Sequence, residues 1–74
     1  MPAVLHLVDG AATPLALDTI HKQTAAGDRI TVVLLEGAPA GDFPHQARIH
    51  RLPGDVSYDD LLDLVFAADQ VIAW

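Results

Sequence analysis

Cysteine is missing from this chain, and that absence excludes more chemistry than any motif present admits. Disulfides, thiolate metal ligands and thiol nucleophiles all require it. Basic side chains are scarce as well: Lys22, Arg29, Arg48 and Arg51 stand against ten carboxylates, for a formal charge of −6. Such a balance offers no footprint for a phosphate backbone or an anionic lipid surface, so direct binding of nucleic acid or membrane is not expected. No apolar run approaches the roughly 18 residues of a membrane span. The opening "MPAVLHLVDG" lacks the basic start and cleavage site of a secretory signal, so a cytoplasmic protein is expected. "DGAATP" after the first apolar run has one glycine and no lysine. It is no phosphate-cradling loop, and nucleotide binding has no support.

What remains is an apolar chain. Hydrophobic residues are 51% and charged residues 19% of 74 positions, which argues against disorder and for one domain spanning 1–74. A chain of this length buries only about 60% of the surface its unfolded form exposes, so its core is marginal. Surplus apolar surface at that size points to an interface.

The order of the elements reads directly. "AVLHLVDG", 3 to 10, does not alternate and is stopped by Asp-Gly, which predicts a strand buried on both faces. "TPLALDTIHKQTAAG", 13 to 27, predicts a helix with Thr13 as N-cap, Pro14 at its first position and Gly27 just past its end. Leu17, Ile20 and Thr24 would face inward, with Asp18, Lys22 and Gln23 outside. "RITVVLLEG", 29 to 37, is β-branched and continuous, a second central strand parallel to the first. Residues 38 to 46, with two prolines, predict a loop. "ARIHRLPG", 47 to 54, carries charge on both faces and ends on proline, which suits an edge strand. "SYDDLLDLVFAAD", 57 to 69, predicts a helix with Ser57 and Asp60 in a capping box and an apolar stripe of Leu61, Leu62, Val65, Phe66 and Ala68. "QVIAW", 70 to 74, closes as a short strand.

"YDDLLDLV" opening a helix, a turn at Ala-Asp, and a closing "VIAW" resemble the C-terminus of the TusB/DsrH branch of the DsrE/DsrF/DsrH sulfur-relay family. "VLHLV" looks like that branch's first strand, and "ITVVLLEG", 30 to 37, like its second. The resemblance implies an α/β fold of three layers, α/β/α, with a four-stranded parallel sheet. Pattern makes the first two strands central and the third an edge; the family places the last strand beside the first, giving the order 3-2-1-4. It also implies a non-catalytic subunit or scaffold, acting by protein–protein contact in sulfur transfer, as in tRNA thiolation (2-thiouridine) or a sulfur-oxidation relay. The implied partners are cysteine-bearing DsrE/F-like subunits or a second copy, in an oligomer. The chain departs from the family in two ways. Members of the branch carry about one more strand-helix unit before the final helix, and the family's sulfur carriers hold a persulfide on cysteine. The resemblance therefore implies a role without chemistry of its own: no enzyme and no cofactor.

Several side chains carry two readings. His6, between Leu5 and Leu7, is either a satisfied, partly buried histidine or a ligand-binding group. His21, His45 and His50 show no metal-ligand spacing, so no metal site is expected. Asp9-Gly10 and Glu36-Gly37 end central parallel strands, where α/β folds place ligands. They either line a pocket, as a stand-alone small-ligand-binding or regulatory domain would use them, or serve the strand-to-loop turn. Asp59, Asp60 and Asp63 form an acidic helix face that confers solubility or orients a basic partner. Tyr58 and Trp74 are candidates for an interface or for packing of the tail, Trp74 either plugging the sheet or anchoring a partner. An enzyme acting through histidine and carboxylate is the weakest reading, since no base and orienting group are paired in sequence.

Overall fold

The computed structural model describes residues 2–35, 37–39 and 41–74. Their elements follow in the order β1 (Ala3–Val8), α1 (Pro14–Ala25), β2 (Arg29–Leu34), β3 (Arg48–Arg51), α2 (Tyr58–Ala67) and β4 (Gln70–Ala73). The four strands form one parallel sheet in the order β3-β2-β1-β4, as expected. Arg29 lies opposite Ala3 and Leu34 opposite Val8, so β1 and β2 pair along their whole length. The elements are shorter than the sequence suggests, because the Asp-Gly and Leu-Pro segments lie in turns beyond the ladder.

Both central strands are buried on two faces, and alternation divides their side chains. Val4, Val8, Ile30, Val32 and Leu34 pack with Ile20 of α1. Leu5, Val33 and Leu52 pack against Leu61, Leu64, Val65 and Ala68 of α2. The helices thus cover opposite faces, which gives the three layers. Helix α1 begins with the Thr13 hydroxyl accepting from the Ala16 N–H and with proline at its first turn, satisfying one of the donors a helix start leaves free. Helix α2 has the full capping box: Ser57 Oγ accepts from the Asp60 N–H, and the Asp60 carboxylate accepts from the Ser57 N–H. The Ser57 N–H on that carboxylate, and to a lesser degree the Ser57 hydroxyl beside it, hold the Asp60 carboxyl below its ordinary value.

Two expectations about the helices are corrected. The inward face of α1 is led by Ala16 and Ile20, both fully buried, and Gln23, expected outside, reaches the core side and bonds His6. On α2, Leu62 and Phe66 are not core residues: they are 55% and 84% exposed. The single sheet face under α2 is narrow, and Leu61, Leu64, Val65 and Ala68 already cover it.

Candidate functional site

At the centre of the α1 face lies His6, a strand residue with no solvent exposure. Strand parity aims it at α1, where Gln23 Oε1 sits 2.7 Å from His6 Nε2. From the other side, the indole Nε1–H of Trp74 donates to His6 Nδ1 at 2.9 Å. An indole donor and an amide oxygen acceptor fix the neutral tautomer, with the hydrogen on Nε2. The two rings are 11° from parallel with centroids 6.1 Å apart. Since the indole N–H lies in its ring plane, they meet edge to edge through the hydrogen bond and are not stacked face to face. Burial lowers the His6 pKa below its ordinary 6.5, and the Gln23 bond opposes that shift in part. Both ring nitrogens are occupied from within the chain, so this histidine has no lone pair to offer a ligand.

Trp74 continues the β4 ladder with its own N–H, which donates to the Leu7 carbonyl. Its ring is half-buried against the cluster under α1. At the other end of β4, Asp69 grips the start of β1: its N–H donates to the Ala3 carbonyl and its carboxylate accepts from the Ala3 N–H.

The carboxyl-end turns do less. Asp9 is exposed, and Gly10 and Gly37 have φ of 79° and 82°, the left-handed region in which a side chain is strained. Their geometry accounts for glycine at both turns. Glu36 lies outside the described residues. A cavity of about 570 Å³ lies instead at the amino ends of the strands, bordered by Arg29, Thr31 and Arg48 of the sheet and by Leu64 and Ala67 of α2. Among the described residues no group of three or more histidine, aspartate or glutamate side chains could hold a metal ion, and no helix is long and apolar enough to cross a membrane.

The outer flank of α2 is the most unusual surface. Tyr58, Leu62 and Phe66 recur every fourth residue and are 65%, 55% and 84% exposed, one continuous stripe on a helix. Leu64 and Ala67 border the cavity together with Arg48 and so mark the β3 side of α2. Helical spacing then places Tyr58, Leu62 and Phe66 on the β4 side. There the edge strand presents Val71, also exposed, on the sheet face that α2 covers. Asp59 and Asp63 follow Tyr58 and Leu62 by one position and flank the stripe on the solvent side. Sequence periodicity groups Leu62 and Phe66 with the core because it reports the width of an apolar face and not the width of the sheet available to cover it.

No family model matches the chain, and neither a curated protein nor a solved structure matches it.

Proposed function

We propose that this chain is a non-catalytic TusB/DsrH-like subunit or scaffold that acts by protein–protein contact in sulfur transfer. The observation that carries the contact is the stripe of Tyr58, Leu62 and Phe66 beside the unpaired edge of β4. Monomers rarely leave contiguous apolar surface uncovered, and aromatic residues are enriched at the centres of interfaces. A free strand edge adds main-chain donors and acceptors to the same surface. The sulfur-transfer role rests on the likeness of "YDDLLDLV" and "VIAW" to the TusB/DsrH tail. With no thiol of its own, the chain depends on a partner for the persulfide.

Charge selects between partners. Two copies meeting through this flank would bring two rows of aspartates, Asp59 and Asp63, toward each other, a like-charge juxtaposition that costs binding energy. A cysteine-bearing DsrE/F-like subunit with a basic rim around an apolar centre fits better. Mixing the chain with such a subunit, a cysteine desulfurase and labelled cysteine tests the reading. The expected result is a stable complex in sedimentation, with label on the partner's cysteine and none on this chain. Covalent label on this chain, or no complex at any ratio, refutes it.

A further inference from the structure

Arg29 and Arg48 are two of only four lysine and arginine side chains in the chain, and both border the same cavity. Arg48 lies directly opposite Thr31 in the β2–β3 ladder, and Arg29 precedes Thr31 by two residues on β2. All three therefore share the sheet face under α2. With strands about 4.8 Å apart and a rise of about 3.3 Å per residue, the two arginine Cα atoms are separated by about 8 Å. That spacing lets two guanidinium forks close on a single group. Ten carboxylates are available in the chain, yet among the described residues neither arginine forms an ion pair or a side-chain hydrogen bond. Uncommitted donors of this kind, side by side, are suited to bidentate recognition of an oxyanion.

The rest of the cavity sets the ligand's other properties. Leu5, Leu64 and Ala67 form an apolar wall, and Thr31 adds a hydroxyl beside the arginines. Asp28 also lines the cavity and offsets part of the positive charge, which disfavours a small, highly charged anion. A volume of about 570 Å³ falls within the range of small-molecule sites. We infer that this cavity binds a small organic anion, a carboxylate or phosphate ester carried on an apolar body, with Arg29 and Arg48 on its oxygens and the body against α2. The site is on the β3 side of α2, away from the stripe facing β4, so it stands or falls separately from the docking reading.

Titration of the isotopically labelled full chain with benzoate and with phenyl phosphate, followed by amide and arginine side-chain signals, tests the inference and separates the two anion types. At least one of them should give saturable shifts at Thr31, Arg48 and Leu64, while phenol, with the same ring and no charge, should not. Raising NaCl from about 0.05 to about 0.5 M should weaken the binding several-fold. Arg29→Gln and Arg48→Gln should each weaken it by about tenfold, and Lys22→Gln on α1 should leave it unchanged. Absence of saturable shifts with either anion, equal response to phenol, or full affinity in the doubly substituted chain would overturn the assignment. If the doubly substituted chain does not fold, salt-independent binding to the native chain overturns it equally.

Discussion

Trp74 and His6, 68 residues apart in sequence, are joined by one hydrogen bond of 2.9 Å from the indole N–H to Nδ1. The bond ties the last strand to the centre of the sheet and completes the pairing of a side chain that has no contact with solvent. Trp74→Ala loses a half-buried ring and leaves His6 Nδ1 unpaired. Large aromatic truncations cost about 3 to 5 kcal/mol when burial is complete, so partial burial plus an orphaned acceptor predicts about 2 to 4 kcal/mol. Trp74→Phe keeps most of the packing and loses only the donor, for about 1 to 3 kcal/mol. Urea denaturation of the three chains measures both differences, and an unchanged midpoint for Trp74→Phe would show that the hydrogen bond contributes nothing.

The same pairing makes stability depend on pH. A protonated His6 would carry a hydrogen on Nδ1 that faces the indole N–H, donor against donor. Burial lowers its pKa in the folded chain below the ordinary 6.5. Just below pH 6.5 the unfolded chain therefore binds the proton and the folded chain does not, so stability is full above that pH and declines as the pH falls. Denaturation midpoints measured from pH 7.5 down to pH 5 should show this slope, and His6→Gln should flatten it whatever its absolute stability. Equal slopes in both chains would assign the effect to the other histidines.

Hydrogen exchange should rank the strands. Val32, Val33 and Leu34 lie in a central strand and are buried, so their amides should exchange only through the largest openings. Those of Arg48 to Arg51, on the edge strand β3, should exchange faster. Equal protection in both segments would contradict the strand order.

Ser57→Ala removes the acceptor for the Asp60 N–H at the start of α2. The expected cost is about 1 kcal/mol, read from thermal or urea melts. Loss of the serine hydroxyl should also raise the Asp60 pKa toward its ordinary value, since hydrogen bonding of that side chain to the carboxyl contributes to holding it down. A carboxyl titration that does not move would show the backbone bond to be sufficient.

Local patterning in the sequence carried most of the fold. "VLHLV" and "ITVVLL" are continuous apolar runs because both faces of β1 and β2 are covered, and charge on β3 marks it as an edge. Thr13, Pro14, Ser57 and Asp60 announce both helix starts, since capping involves neighbours in sequence. The contacts that make the sites are less legible because they depend on residues far apart. Gln23 reads as a surface residue until β1 places His6 under it. Arg48 reads only as edge-strand charge until its register beside Thr31 brings it to the side of Arg29. Phe66 reads as core because nothing in the spacing of α2 states that the sheet beneath it is already full.

The central claim, that the α2 flank is a docking surface, is tested most directly by replacing Leu62 and Phe66 together with glutamine and measuring two quantities in the same preparation. Exposed positions contribute little to folding, so urea stability should change by no more than about 1 kcal/mol for the pair. Affinity for a cysteine-bearing DsrE/F-like partner, measured by calorimetry or sedimentation, should fall by more than about thirtyfold, as expected when central apolar anchors are removed. Unchanged affinity with unchanged stability would contradict the claim and leave this stripe as uncovered surface without a role.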